Sequence, residues 1–208
     1  MPIELWFAFF LACTAVLAVP GPTVMLVISY ALARGRSSGW ATAPGVTLGD
    51  FTAMTISLLG AGAVLAASAT LFTALKLVGA AYLVWLGIKL WRAEPSLGEL
   101  DSVTGRQTQA SMFWNSYVVT ALNPKSIVFF VAFVPQFVDT AQPVFVQFFI
   151  LEVTFLTLAA VNVAIWAALA GHLRSRFKRP QTLKLVNRTG ASFLIGAGVL
   201  TAAVRRTA

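Results

Sequence analysis

Asn123-Pro124-Lys125 lies inside a long apolar segment of this chain, and Pro20-Gly21-Pro22 lies inside another one earlier in the sequence. Proline has no amide hydrogen, so it fits the first position of a helix and disrupts a helix interior. Asparagine is a good N-cap residue, and glycine is a flexible one. Both motifs therefore predict that a new helix begins in the middle of an apolar segment.

The two motifs occupy corresponding places in the two halves of the chain. Sliding the sequence by 102 residues places Pro22 on Pro124, and the same shift places Asp50 on Glu152. Each of these acids stands alone inside a further apolar segment. Interruptions and isolated acids that occur once in each half are the pattern expected of a transport site built from an internal repeat.

Composition indicates that the chain is a membrane protein. Of its 208 residues, 58% are hydrophobic and 11% are charged, and the mean hydropathy is +0.82. This apolar content exceeds what a soluble core of that size buries. The net charge of +8 does not indicate nucleic-acid binding, because the basic residues lie between the apolar segments and at the C-terminus. They are typical of topology signals and of contacts with anionic lipid.

Cysteine and histidine usage excludes several kinds of site. Cys13 is the only cysteine and His172 the only histidine, so neither an intramolecular disulfide nor a transition-metal cluster is expected. The sequence predicts no cofactor and no metal ion.

Six apolar segments each reach the ~20 residues that a helix needs to cross the hydrocarbon layer. They cover roughly residues 5–32, 40–66, 71–91, 111–137, 144–171 and 183–204. We therefore predict an all-α polytopic membrane protein with six transmembrane helices in a single domain, 1–208. Its parts are a first repeat of about 1–91, a polar linker over 92–110 and a second repeat of about 111–208. Three spans per repeat require the second repeat to insert upside down relative to the first.

Lysine and arginine residues favour one orientation in the membrane. They cluster after the first span, around the central linker and after the fifth span, which places all three clusters on one side. The positive-inside rule makes that side cytoplasmic. We expect a multi-pass membrane protein with both termini outside; if the first span were only a hairpin, the N-terminus would lie inside.

The interrupted segments predict a site for an anion. A helix start has free backbone amides and the positive end of the helix dipole, and together these suit a carboxylate. The candidate substrate-binding residues are those of the two motifs, namely Gly21, Pro22, Asn123, Pro124 and Lys125. Simple proline kinks, which are common in membrane helices, are the alternative.

Asp50 and Glu152 are the candidate residues for proton or cation coupling. A charged acid at hydrocarbon depth costs at least ~2.5–3.5 kcal/mol, so each acid should face the interior and either pair or stay protonated. Lys125 is the basic residue expected to pair with an acid. Because one lysine can pair with only one of the two acids, the other acid is free to carry a proton. That acid holds either a proton or a substrate ammonium, which is the simplest route to proton antiport. A structural bridge between lysine and acid is the alternative.

These residues resemble a known family. Pro20-Gly21-Pro22, Gly49-Asp50 and Asn123-Pro124-Lys125, followed by Phe129-Phe130 and Phe133-Val134-Pro135-Gln136-Phe137, are similar to the LysE/RhtB family of bacterial amino-acid exporters. The resemblance covers nearly the whole chain. It implies efflux of amino acids, driven by the proton gradient, with the stretches around Lys125 and Gln136 closer to the branch that handles threonine, homoserine or leucine-like substrates.

Several other functions remain open on the sequence. The exporter could take basic amino acids or another small solute, and the chain could be a non-transporting scaffold or assembly factor. A channel is disfavoured by the paired interruptions, and an intramembrane enzyme by the lack of a nucleophile motif near His172. Several glycines permit close helix packing, either within one subunit or between two, and we expect a homo-oligomer. These glycines are Gly60, Gly62, Gly79, Gly87, Gly196 and Gly198.

Overall fold

The computed structural model describes residues 1–18, 21–92, 108–139, 142–172 and 180–203. Every regular element within these ranges is helical, so the all-α prediction is confirmed for the described part of the chain. Pro20 and residues 93–107, which include most of the predicted polar linker, lie outside the described residues.

Four helices make up the first half of the described chain. They are α1 (Ile3–Ala18), α2 (Pro22–Arg34), α3 (Gly39–Ala67) and α4 (Ala69–Arg92), with a short 3₁₀ turn, Arg36–Ser38, before α3.

The second half repeats this order. It contains α5 (Gln109–Ala121), α6 (Pro124–Val128), α7 (Val144–His172) and α8 (Pro180–Ala203). A π-helical turn, Phe129–Phe133, and a 3₁₀ turn, Val134–Phe137, extend α6. Each half thus has a broken pair of helices, then a helix of 29 residues, then one of 24 residues.

Both proline motifs begin helices, as the sequence predicts. Pro22 is the first residue of α2 after an extended Gly21, and Pro124 is the first residue of α6 after an extended Asn123. The chain bends by 53° between α1 and α2, and by 41° between α5 and the helical segment that starts at Pro124. A bend is expected, because proline removes an amide donor and its ring clashes with the preceding turn.

Fewer membrane spans are supported than the six predicted. Among the described residues, Arg36–Val64 and Val144–Ala170 are each long and apolar enough to cross a membrane, and the number rises to four if each bent pair is one span. The predicted third and sixth spans are helices, α4 and α8. The six-span arrangement and the inversion of the second repeat stay predictions.

Glycines bring α3 against α5 at very short range. A Cβ atom on Gly45 would lie 2.5 Å from the Phe113 carbonyl oxygen, and one on Gly49 would lie 2.8 Å from the Tyr117 carbonyl oxygen. Only glycine permits this approach of two backbones. Gly45 and Gly49 therefore form a packing face that holds the middle of α3, with Asp50, against the break that follows α5.

A second glycine contact joins α4 to α8. A Cβ on Gly87 would lie 2.7 Å from the Ile195 side chain, and one on Gly198 would lie 2.7 Å from the Ala80 carbonyl oxygen. These glycines therefore serve packing within one chain. Gly60 has no neighbouring atom within 4 Å, and association of two chains stays a prediction.

Helices α3 and α7 run antiparallel. Thr55 of α3 donates a hydrogen bond to Glu152 near the start of α7, whereas Gly39 at the start of α3 lies against Ala167 near the end of α7. Asp50 therefore lies opposite the middle of α7. A cluster of aromatic side chains packs beside this crossing; it contains Phe9, Phe129, Phe130, Phe133, Phe137 and Phe155.

The glycine contact between α3 and α5 predicts a difference between two alanine substitutions in the same helix. Gly45→Ala should lower the stability by about 1–3 kcal/mol, because the new methyl group overlaps a backbone carbonyl that has no room to move. Gly60→Ala should be neutral or stabilising, since alanine favours the helix and the site is open. Thermal unfolding in detergent, followed by size-exclusion chromatography, measures both. Equal stability of the two variants would contradict the close contact.

Candidate functional site

A cavity lies where the two helix breaks meet. It comprises about 470 Å³ of space not filled by protein atoms, part of it open to the surroundings. Four of the seven predicted site residues line it, and they come from both halves of the chain; these are Gly21, Asp50, Asn123 and Lys125. The remaining lining residues are Val16, Leu17, Thr23, Val24, Val46, Ser126, Phe129, Phe155, Ala159, Asn162 and Val163.

Lys125 connects the second break to the first. Its side chain is buried, and its Nζ donates a hydrogen bond of 2.9 Å to the carbonyl oxygen of Val16. Val16 lies in the last turn of α1, where carbonyl groups have no partner within the helix and carry the negative end of its dipole. The side chain also passes Gly21, where an added Cβ would lie 3.4 Å from the lysine Cδ. A larger residue at position 21 would therefore crowd the lysine.

Asp50 supplies the opposite charge. It lies in the middle of α3, is only 4% exposed, and lies close enough to Lys125 for the two charges to interact. Within the described residues its carboxylate has no hydrogen-bond partner. The cavity thus places an acid and a base from different halves of the chain beside one small space.

Asn123 stabilises the conformation of the second break. Its side-chain oxygen accepts a hydrogen bond from the Lys125 amide, as expected of an N-cap, and its side-chain nitrogen donates to the Thr23 hydroxyl. Thr120 also donates to Thr23. These three buried residues join the end of α5 to the start of α2. Sequence analysis did not identify Thr23, although its position directly after Pro22 marks it as a residue of the first helical turn.

The amides of the second break are largely engaged within it. Pro124 has no amide hydrogen, the Lys125 amide bonds the Asn123 side chain, and the Ile127 amide bonds the Asn123 carbonyl. The positive charge that this break presents to the cavity is therefore chiefly the Lys125 ammonium. The prolines position the break, and neither Pro22 nor Pro124 lines the cavity.

Glu152 lies apart from this site. Its carboxylate accepts a hydrogen bond of 2.5 Å from the Thr55 hydroxyl, and the residue does not line the cavity. The sequence predicts that one of the two acids lacks a lysine partner; Asp50 is the acid that lies near Lys125, and Glu152 bonds Thr55 instead. The roles of both acids in coupling stay predictions. The equivalence of Asp50 and Glu152 in the sequence does not extend to their surroundings.

The described residues contain no cluster of histidine, cysteine, aspartate or glutamate side chains with the arrangement of a metal site. The polar groups of the cavity suit a small organic solute instead. Its lining combines Asp50 and Lys125 with hydroxyl and amide groups and with aliphatic and aromatic surface. Cavities that are mostly apolar, with a few convergent polar groups, are typical of small-molecule sites.

Comparison with known proteins identifies the family. The model of the LysE type translocator family matches residues 14–204 of the chain. The chain belongs to this family. The resemblance predicted from the proline motifs is thereby confirmed, and the protein is a translocator rather than an enzyme.

Three relatives match this translocator over most of their length. A homoserine/homoserine lactone efflux protein of Salmonella typhimurium is 32% identical over 99% of both chains. A leucine efflux protein of Klebsiella pneumoniae is 28% identical over 91% of this chain and 88% of its own. An uncharacterized membrane protein of Vibrio cholerae is 33% identical over 99% of this chain and all of its own. No solved structure shows a significant match.

The charged pair predicts a non-additive effect on the stability of this translocator. Asp50→Asn leaves the Lys125 ammonium buried without the nearby acid, and Lys125→Met leaves the acid without the nearby base. Either change alone should lower the stability, by less than the ~3–5 kcal/mol lost when a buried ion pair in direct contact is broken. The double variant removes both charges and should be more stable than the less stable of the two single variants. Thermal unfolding of all four proteins in one detergent tests this. Additive losses would show that the two side chains act independently.

Proposed function

We propose that this translocator exports neutral α-amino acids and their close derivatives from the cytoplasm, in exchange for protons. The observation that carries the proposal is that Asp50 and Lys125, close enough for their charges to interact, line one cavity at the meeting point of two helix breaks. An α-amino acid is a zwitterion, so its ammonium group fits Asp50 and its carboxylate fits Lys125. Charge-assisted hydrogen bonds of this kind are the strong ones in proteins.

The charges of the cavity favour a neutral side chain. Among its described lining residues, Asp50 is the only acid and Lys125 the only base. A basic amino acid would bring a second positive charge, and leaving that charge unpaired in a desolvated site is costly. The remaining surface, which includes Leu17, Phe129 and Phe155, suits an aliphatic chain.

The relatives' names agree with this reading of the site. Homoserine and leucine both carry an α-ammonium and an α-carboxylate, whereas homoserine lactone carries the ammonium but has its carboxyl group closed into a ring ester. Contact between Asp50 and the ammonium is therefore the interaction that all three compounds share. Contact with Lys125 should matter more for the free amino acids than for the lactone.

Competition at Asp50 provides the coupling. A carboxylate that accepts a proton no longer attracts a substrate ammonium, so protonation from outside would release the substrate and deprotonation towards the cytoplasm would restore the site. Lys125 would bond the Val16 carbonyl when no substrate carboxylate is present. Glu152, hydrogen-bonded to α3 through Thr55, is a second candidate for the coupling step.

We place the site in a single domain of two inverted three-helix repeats that spans the bacterial inner membrane six times. The repeated order of a broken pair, a 29-residue helix and a 24-residue helix supports this arrangement. Breaks contributed by both repeats to one cavity suit alternating access, in which one repeat moves against the other.

The substrate proposal is tested by counterflow in proteoliposomes. The parent should transport homoserine, homoserine lactone and leucine, and lysine poorly. Lys125→Met should lower homoserine transport by about tenfold or more, since a charged hydrogen bond contributes roughly 1.5–3 kcal/mol, and should affect the lactone much less. Lys89→Met, which removes an exposed lysine that lies over Trp85, is the matched control and should transport like the parent.

Two results would reject this assignment. Absence of transport of every neutral amino acid by the reconstituted parent would exclude the function. An equal loss of homoserine and lactone transport in Lys125→Met would show that the lysine maintains the breaks without contacting the carboxylate.

The coupling proposal predicts a separation of two activities. Asp50→Asn should abolish accumulation driven by an imposed pH gradient while leaving part of the substrate exchange, because exchange does not require release of a proton. Glu4→Gln, an acid-to-amide change at an exposed position of α1, should leave both activities intact. Radiolabelled uptake with and without the gradient measures them, and driven accumulation by Asp50→Asn equal to that of the parent would remove Asp50 from the mechanism.

A further inference from the structure

One polar residue of the cavity has no role in the charged pair. Helix α7 lines the cavity with Phe155, Ala159, Asn162 and Val163, which recur at the spacing of one helix face. Asn162 is the polar member of this face. Within the described residues its side-chain amide has no hydrogen-bond partner in the protein, although it is partly buried among apolar neighbours.

The Asn162 amide keeps some exposure through the cavity, so a bound compound that covers it must supply a hydrogen bond. A polar group removed from water without a hydrogen bond costs roughly 1–3 kcal/mol, and a leucine of similar size would fill the same space at no such cost. The other asparagines of the site and its surroundings are used by the protein, since Asn123 bonds Thr23 and Asn115 bonds Tyr30. The amide of Asn162 instead faces the cavity.

The antiparallel pairing of α3 and α7 locates Asn162 relative to Asp50. Counting along both helices from the Thr55–Glu152 hydrogen bond and from the Gly39 contact places Asn162 about 7–9 Å beyond Asp50, towards the start of α3. The same counting places Phe155 on the other side of Asp50. The cavity therefore has an amide end and an aromatic end, with the charged pair between them.

We propose that Asn162 is the specificity-determining residue of this site, and that its amide hydrogen-bonds an oxygen on the side chain of the transported compound. The inference rests on the proposed function and adds to it. With the α-ammonium at Asp50, a hydroxyl or ring-ester oxygen three or four bonds from the ammonium nitrogen reaches the amide end. A wholly aliphatic side chain leaves the amide unpaired in that orientation.

The amide therefore selects against side chains without oxygen. A site built to hydrogen-bond a hydroxyl disfavours the analogue that lacks it, because the buried polar group of the protein is then left without a partner. Homoserine and norvaline form a matched pair for this purpose, since a terminal hydroxyl in one replaces a terminal methyl in the other.

The test compares export of homoserine and norvaline from the same proteoliposomes. The parent should prefer homoserine, and Asn162→Leu should reduce the homoserine-to-norvaline ratio of kcat/KM by about tenfold or more, chiefly through faster norvaline export. Asn162→Ala removes the amide without adding bulk and should shift the ratio in the same direction. This second variant keeps the test valid if the leucine variant fails to fold. Thr157→Val, a polar-to-apolar change at an exposed position of the same helix, should leave the ratio unchanged.

Several results would overturn the inference while leaving the proposed function intact. These are a parent that exports both compounds without preferring homoserine, an unchanged ratio in both Asn162 variants, and an equal loss of both compounds. If the parent exports neither compound nor any other neutral amino acid, the proposed function itself fails.

Discussion

The position of the Lys125 ammonium is the constraint on which the candidate site depends. A lysine charge inside apolar surroundings requires partners, and the structure provides the Val16 carbonyl at the end of α1 and the nearby Asp50 carboxylate of α3. The Val16 carbonyl is available only because the chain is broken after α1. The end of α1 exposes its last carbonyls, and the start of α6 turns Lys125 towards them. The Lys125 side chain thus links the two halves of the protein at the cavity.

Close helix packing brings the acid to this point. Gly45 and Gly49 let α3 approach the backbone of α5 more closely than any residue with a Cβ would allow. Asp50 follows Gly49 directly, so the contact that positions α3 against α5 also fixes the position of the carboxylate within the helix bundle. The break after α5 is held in turn by Asn123, Thr23 and Thr120. Backbone packing and hydrogen bonds therefore position the charges before any substrate binds, which reduces the entropic cost of recognition.

The two halves of the chain contribute unequally to the site. Each has a proline-initiated helix and an acid in the following long helix, but Asp50 lines the cavity and Glu152 bonds Thr55 away from it. The lysine has no counterpart in the first motif, where Gly21 leaves room for it instead. Two repeats that share one cavity commonly diverge in this way, because each repeat contributes different residues to the same site. This asymmetry underlies the two proposed roles. Asp50 binds either a proton or the substrate ammonium, and Asn162 hydrogen-bonds the side chain of the substrate.

The sequence by itself determined the membrane class, the helical fold, the two breaks and the family. These follow from local properties, namely apolar content, the missing amide hydrogen of proline and the capping preference of asparagine, which do not depend on distant residues. Tertiary structure decided which residues meet. Lys125 and Val16 are 109 positions apart, and the exclusion of Glu152, the use of Thr23 and the exposure of the Asn162 amide to the cavity depend on how α3 packs between α5 and α7. Residue spacing along the chain does not specify that packing, because many arrangements of apolar helices bury similar surface in a bilayer.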